Sequence, residues 1–483
     1  MSVRKRVFAL FIPLVLIRLV FGSMQGKVEK LLHARSYTGG GIAVVIKDLD
    51  TDSNVVSINA DSMMIPASVS KLVTGAAAFE TLGSDYTFET PVYIDGTYNC
   101  DSGVVHGNLY IQGRGDPGFS AEKMWLFVQH LKHRGINVID GDLVLDDFFF
   151  DSVRVGPGFS NNDGSRAYQS IIGALSANFS SIAIHHRSGQ HVGSPVHVDV
   201  FPRIEGLKIN SSAVTVPSGT RGSLDIRTSQ SAGVTQIDVR GAMALNEPSR
   251  YTFRKVWQTW EVFGGAVRSL FRENGIQITG KTVRKRVPSG LESQDPFYTF
   301  KGQPLSDYVG HMFRHSNNFV SEMLFKTMGA VRDGSPGTWL NGAAVVSRWW
   351  AELDLPGKPL ISNGSGMGKT TNRLSASQIV ELLSYVSRQK RYFPDYLASL
   401  SVSGVDGTLE DRFQRSRLKG IVRAKTGTLN SIRVSTLAGY VLLEDETYAF
   451  AILCNGVGRG QYDNWVMQEQ ILEKLIAGIR WVD

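Results

Sequence analysis

Apolar residues recur along this chain with two periods, and the period changes with position. Gly41–Asp48 and Asn54–Ile58 are apolar runs joined by Asp-Leu-Asp-Thr-Asp-Ser, the pattern of two strands and a polar turn. Pro66 then opens a helix that runs through Glu80 and stops at Gly83, with proline at the start and glycine past the end. From about residue 87 short β-like segments alternate with Gly-rich turns, among them Asn108–Gln112 and Gly141–Leu145, with one amphipathic helix over Ala121–Arg134. Residues 195–245 carry no helical period and are dominated by Gly, Ser, Thr and Val, which predicts a small all-β module. A helix is expected over Thr252–Asn274. Helical spacing then dominates over Leu305–His315, Phe319–Met328, Gly342–Leu353 and Ser375–Arg388. Two strands, Ser435–Leu443 and Tyr448–Asn455, and a last helix over Asp463–Ile479 complete the pattern.

Helix-rich ends thus bracket a β-rich middle, which predicts an α+β multidomain chain: one discontinuous domain carrying a large β-rich insertion. The expected boundaries are 25–86 and 288–483 for the outer domain, 87–194 and 246–287 for the inserted α/β domain, and 195–245 for a small β domain nested within it. The outer domain is expected to be an antiparallel sheet between helices.

Composition changes this picture little. The chain has 483 residues, 42% of them hydrophobic and 20% charged, with 50 Gly and 16 Pro, which excludes disorder and collagen-like repetition. The net charge of +7 would invite a nucleic-acid partner. Yet Arg4, Lys5, Arg6 and Arg18 lie in the first 22 residues, which hold no acid; the remainder has 47 bases against 44 acids. With no basic stripe interleaved with aromatics, no nucleic-acid partner is expected. Residues 1–22 read as a secretory signal: a basic Arg4-Lys5-Arg6, an apolar run from Val7 to Ile17, then Val20-Phe21-Gly22. Arg18 cuts the apolar run short of the roughly 20 residues a bilayer requires, so no stable transmembrane anchor is expected. The chain is therefore expected to be exported, to a periplasm or to the extracellular space. Cys100 and Cys454 are the two cysteines. Cys454 reads as a buried thiol within a strand, and pairing with Cys100 stays open.

Several short motifs lack the context their chemistry needs. Asn363-Gly-Ser-Gly-Met-Gly-Lys-Thr370 has Asn where a phosphate-binding loop has its first Gly, and no buried strand leads into it. His311 and His315 have the spacing of a zinc-protease helix, but Met312 stands where the Glu base belongs. Arg114-Gly-Asp116 is followed by Pro and Gly and reads as a turn.

Three motifs remain, in a meaningful order. Ser68-Val-Ser-Lys71 puts a hydroxyl and an amine three residues apart on one helical face, where the lysine can take the proton that makes a serine nucleophilic. Ser316-Asn-Asn318 lies between two helices and can present Ser316 as a proton relay and Asn318 as an amide for a peptide group. Lys425-Thr426-Gly427-Thr428 reads as a strand start, with a glycine that lets an extended peptide approach and a lysine to meet a carboxylate. The backbone N–H groups of Ser68 and Thr428 are candidates for an oxyanion hole.

With this trio the sequence resembles the penicillin-recognising serine acyltransferases. More narrowly, it resembles the D-alanyl-D-alanine carboxypeptidase/endopeptidase family known as class C low-molecular-mass penicillin-binding proteins. The 248-residue separation of Ser68 and Ser316 matches that family's large insertion, and so do Gly115-Asp-Pro117, Gly141–Asp146, Ala174–Asn178, Asn363–Gly366 and Gly404–Leu409. The family usually has Asp where Asn363 stands. The resemblance implies a transpeptidase/β-lactamase-like domain and a Ser68 acyl-enzyme formed from peptidoglycan stem peptides with Lys71 as base. It further implies that Ser316 relays the proton, Asn318 and Lys425–Thr428 bind the peptide, and β-lactams act as covalent inhibitors. No cofactor or metal is implied. An inserted acid meeting a cationic stem-peptide group is also implied, with Asp146 as the candidate. A β-lactamase or esterase of the same superfamily, and a non-catalytic cell-wall binding protein, stay open as alternatives.

Overall fold

The computed structural model describes residues 24–37, 41–159, 165–231, 234–458 and 460–476; the expected secretory segment lies outside them. The chain divides into two compact units, one of residues 1–80, 309–317 and 346–483, the other of residues 81–308 and 318–345.

The first unit is built on a six-stranded sheet. In spatial order its strands are Ser53–Ile58, Ile42–Asp48, Thr447–Asn455, Val434–Leu442, Val422–Leu429 and Ser401–Val402. Every neighbouring pair is antiparallel. Ile42–Asp48 is buried along its whole length, so both faces of the sheet are covered, and its apolar run is correspondingly continuous. On one face Met24, Val28 and Leu32 of the helix over residues 24–34, with Met467, Ile471 and Leu472 of helix Gln461–Leu475, join Ile42, Val44, Ile46 and Ile452 in one core. On the other face lie helices Ala376–Ser387 and Phe393–Ser399, pinned by Tyr440, whose hydroxyl donates to the Leu383 carbonyl at 2.8 Å and whose ring meets Phe393 edge-on. Helix Ser70–Leu82 is buried from Ser70 through Phe79. A Cβ at Gly75 would stand 2.5 Å from the Phe313 ring, so this helix needs a glycine to let its neighbour approach. The result is the antiparallel sheet between helices expected for the outer domain.

The second unit holds a five-stranded mixed sheet in the order Thr282–Arg284, Leu143–Asp146, Leu109–Gln112, Thr87–Ile94, Tyr298–Pro304. Helices Ala121–His133 and Thr259–Glu273 contribute Phe127, Leu131, Phe263 and Phe271 to its core. A separate core, with Ile184, Ile226, Ile237 and Val239, belongs to the all-β part. The expected helix over Thr252–Asn274 begins only at Thr259, because Arg250–Lys255 forms a strand paired with Ser181–Arg187. The same central strand pairs with His197–Phe201, so the β module draws on segments outside 195–245. Residues 298–304 pair with Thr87–Ile94, and helix Asn318–Asp333 packs Phe319 against Phe179; these segments, expected with the outer domain, cohere with the inserted elements.

Among the described residues no helix is long and apolar enough to cross a membrane. Cys100 is exposed and Cys454 buried, both as thiols, and burial pushes the Cys454 thiol up to about 12.

Helix Asn318–Asp333 carries a fully buried cation. Lys326 Nζ donates to Asp151 at 2.5 Å and to the Val153 carbonyl at 3.1 Å, and stands 4.1 Å from the centre of the Trp339 ring. Burial pushes its pKa down while Asp151 pulls it back up. Removing one partner of such a pair strands the other charge in an apolar surrounding. Asp151→Ala is therefore expected to destabilise this unit by about 3 kcal/mol, and Asp151→Ala/Lys326→Met to recover much of that loss. Leu340→Ala, at a side chain 82% exposed, serves as the neutral control. Thermal unfolding of the three variants checks the ordering.

Candidate active site

The nucleophile sits where a short turn feeds a buried helix. Ala67–Val69 is one 3-10 turn, followed directly by helix Ser70–Leu82. Ala67 is in the left-handed region at φ 47°, an uncommon state for a residue with a Cβ, and this turns the chain sharply just before Ser68. Two contacts hold the turn against the sheet: Thr436 Oγ1 donates to the Pro66 carbonyl at 2.8 Å, and Val69 N donates to the same carbonyl at 3.2 Å. Ser68 is half-buried, three residues ahead of the fully buried Lys71. Lys71 Nζ donates to Ser68 Oγ at 2.9 Å and to the Ser365 carbonyl at 2.9 Å.

Strand Val422–Leu429 passes against this turn. Gly427 pairs with Thr436, and a Cβ there would fall 2.2 Å from Thr436 Oγ1, 2.8 Å from the Pro66 carbonyl oxygen and 3.0 Å from Ser68 N. The close approach of strand to nucleophile thus requires glycine. The Ser401–Val402 strand pairs only with Ala424 and Arg423, so among the described residues 425–429 have a strand neighbour on one side alone. An extended peptide can add there as a further strand.

Lys425, in the middle of this strand, is fully buried. Its Nζ donates to Ser316 Oγ at 2.9 Å and to the Thr426 carbonyl at 2.8 Å. Burial, and secondarily the Lys71 ammonium, push its pKa well below the ordinary lysine value. Thr426 Oγ1 donates to Thr408 Oγ1 at 2.8 Å, and Gln461 Nε2 donates to Thr428 Oγ1 at 3.0 Å. Ser316 is also left-handed, at φ 53°, immediately after helix Leu305–Arg314; Asn317 N closes the turn on the Met312 carbonyl at 3.2 Å. His311 on that helix is pushed down to about 4 by burial and by its neighbour His315, whose ring lies 4.8 Å away. Among the described residues no three His, Cys, Asp or Glu side chains gather as a metal site.

Of the site residues expected from the sequence, Ser68, Lys71, Ser316, Lys425, Thr426, Gly427 and Thr428 thus stand together in the first unit. Asn318 opens helix Asn318–Asp333 in the second unit, where its side-chain amide donates to the Tyr168 carbonyl at 3.2 Å. Tyr168 itself is 47% exposed and carries Arg166 over its ring. Asp146, expected at the substrate, is 5% exposed in the second unit, and its carboxylate accepts from Val287 N at 2.8 Å and Phe148 N at 3.1 Å. Burial raises its pKa against those two hydrogen bonds. It thus joins its own turn to the segment at Val287. Asn363–Thr370 forms a loop that leads into no helix, so it lacks the anatomy of a phosphate-binding loop. Four partners went unread in the sequence: the Ser365 carbonyl, Thr408, Gln461 and Tyr168. Thr408 lies within the Gly404–Leu409 phrase that marks the resemblance; the others have no local signal.

Comparison with known proteins agrees with this geometry. A D-alanyl-D-alanine carboxypeptidase of an Actinomadura species is 29% identical over 449 residues, which cover 90% of this chain and 81% of that protein. The D-alanyl-D-alanine carboxypeptidase DacB of Haemophilus influenzae is 24% identical over 442 residues, 88% of each chain. The crystal structure of penicillin binding protein 4 (dacB) from Haemophilus influenzae superimposes with a TM-score of 0.79 at 23% identity, covering 93% of this chain and 99% of that one, and so shares its fold. The D-Ala-D-Ala carboxypeptidase 3 (S13) family matches residues 24–474, nearly the whole described chain, and the protein belongs to that family.

Proposed function

We propose that this protein is an exported serine D-alanyl-D-alanine carboxypeptidase/endopeptidase that acts on peptidoglycan stem peptides through a Ser68 acyl-enzyme. The observation that carries the reading is the pair of serine–lysine contacts, Ser68 with Lys71 and Ser316 with Lys425, each at 2.9 Å and packed around one strand. The family membership and the secretory character of residues 1–22 support it.

In this reading the peptide lies along residues 425–429, its terminal carboxylate held by Lys425 and Thr426. Two buried amines cannot both be charged cheaply, so a bound carboxylate that favours the ammonium of Lys425 favours the free amine of Lys71. Lys71 takes the Ser68 proton as Oγ attacks the carbonyl carbon between the two terminal D-alanines. The oxyanion accepts from the N–H groups of Ser68 and Thr428. When the C–N bond breaks, Ser316 passes a proton to the leaving amine, which departs as D-alanine or as one arm of a cross-link. Water then adds to the Ser68 ester, and its collapse returns the serine and releases the shortened peptide. A β-lactam enters by the same attack and stays as a slowly hydrolysed ester.

Incubation of the protein from residue 23 onward with a fluorescent penicillin, followed by intact mass and peptide mapping, tests the assignment. A stable adduct on Ser68, absent from Ser68→Ala, is expected. No adduct with no penicillin turnover would favour the wall-binding alternative, and rapid turnover without accumulation would favour a β-lactamase. A second measurement addresses the strand. Gly427→Ala, which must displace the strand from the Pro66–Ser68 turn, is expected to slow acylation about a hundredfold, the cost of a shift near 1 Å in the attacking geometry. The protein should meanwhile remain folded by circular dichroism.

A further inference from the structure

Lys71 is held not only by its helix but by a loop far away in sequence, and that loop is locked by one side chain. Asn363 is fully buried. Its Oδ1 accepts from Gly366 N at 2.8 Å and its Nδ2 donates to the Met367 carbonyl at 2.8 Å, so both ends of the amide close the turn over residues 363–367. The turn cannot slide, because Gly366 is left-handed at φ 78° and a Cβ there would stand 1.9 Å from the Ala67 carbonyl oxygen. Asn372 braces it from behind: its Oδ1 accepts from Ser362 N and Asn363 N, and its Nδ2 donates to the Asn363 carbonyl at 3.0 Å and to Ser70 Oγ at 3.1 Å. Thr74 Oγ1 adds a bond to the Gly364 carbonyl at 2.7 Å. The product of all these contacts is one carbonyl, that of Ser365, aimed at Lys71 Nζ.

The charges on the surrounding elements give the amide a second meaning. Within this unit, strand Val422–Leu429 brings Arg423 and Lys425 to the site, and the loop over residues 360–373 carries Lys369 and Arg373. The segment 309–317 carries His311, Arg314 and His315. None of these three segments contains an Asp or Glu; the segment 401–409, which pairs with the strand, carries Asp406, 3.6 Å from Arg314. The nucleophile helix has a single acid, Glu80, nine residues beyond Lys71 and so about 13 Å along the axis. Glu80 is occupied there by the hydroxyls of Tyr385 and Tyr392. Position 363 lies two residues before the carbonyl that meets the amine, and this chain has a neutral amide there.

We propose that Asn363 is a positioning residue for the Lys71 base: its amide fixes the turn that presents the Ser365 carbonyl to Nζ, and its neutrality keeps negative charge away from the amine. The inference rests on the Ser68/Lys71 reading above. An Asp at this position would still accept from Gly366 N, but it would set oxygen against the Met367 carbonyl and place an anion that favours the ammonium form of the base.

The experiment is the pH dependence of the second-order acylation rate of Ser68 by a fluorescent penicillin, for the wild type, Asn363→Asp and Asn363→Ala. Asn363→Asp is expected to raise the acid limb by about one pH unit, a roughly tenfold slower reaction below the limb with much less loss on the plateau. Asn363→Ala, which loses both hydrogen bonds and adds no charge, is expected to lower the rate at all pH values and leave the limb in place. An unmoved limb in Asn363→Asp, or identical behaviour of the two variants, overturns the proposal. Should Asn363→Asp fail to fold, Asn372→Asp places the same charge on the same loop, where the side chain meets Asn363 and Ser70; an upward shift of the limb supports the proposal and no shift overturns it. A wild type that gives no Ser68 adduct defeats the acyl-enzyme reading itself, and the inference with it, and is distinguishable because no variant is involved.

Discussion

Two lysine amines share one buried site, and the rest of the first unit is arranged around that fact. Lys71 and Lys425 are both inaccessible to solvent, which no pair of cations tolerates without partners. Each receives a serine hydroxyl and a backbone carbonyl: Ser68 and Ser365 for one, Ser316 and Thr426 for the other. The depressed pKa of Lys425 is the electrostatic signature of this crowding. In the proposed chemistry the same crowding is useful, because a charged Lys425 favours the neutral amine of Lys71, the base.

The partners come from four parts of the chain that are far apart in sequence, and the sheet is what gathers them. Its first strand, Ile42–Asp48, lies against its last, Thr447–Asn455, with Ile42 opposite Cys454 and Asp48 opposite Tyr448. That closure puts the turn after the first hairpin beside the strand carrying Lys425. Gly427 lets the two backbones approach, and Thr436, on the next strand, ties the Pro66 carbonyl to the sheet. Small residues and a hydroxyl, rather than large apolar contacts, set the distance at which chemistry occurs. The surrounding core of Val44, Ile46, Phe450 and Ile452 makes that distance rigid.

What the sequence revealed follows from the range of the interactions. Ser68 and Lys71 were legible because helical spacing alone brings them together, and the central strands because their apolar runs are continuous. Arg250–Lys255 was merged with the helix after it, since its alternating Tyr251 and Phe253 face solvent and give no inward signal; its partner strand lies some seventy positions earlier in the chain, at Ser181–Arg187. Asp146 was expected as an acid for a cationic stem-peptide group, yet Leu143–Asp146 is buried throughout and the carboxylate accepts from the amides of Val287 and Phe148. The Ser365 carbonyl left no trace at all. A backbone acceptor has no residue type, and only the turn that aims it can be seen, afterwards, in the glycines on either side.

The backbone at the two serines argues that this precision is maintained against a cost. Ala67, just before the nucleophile, and Ser316, the second hydroxyl, both occupy left-handed conformations in which a side chain is strained by roughly 1–2 kcal/mol. Such strain persists only where the surroundings over-determine it. At Ala67 they do: Thr436 holds the carbonyl before it, Gly366 crowds the carbonyl after it, and Gly427 abuts the amide of Ser68. At Ser316 the helix end is closed by Asn317 on Met312, and the hydroxyl is taken by Lys425. In each case the sharp turn aims a serine at a lysine that its own helix or strand already fixes. A relaxed backbone at either position would turn the hydroxyl away and take one of its hydrogen-bond partners from a buried amine. The strained turns and the two serine–lysine contacts therefore stand or fall together.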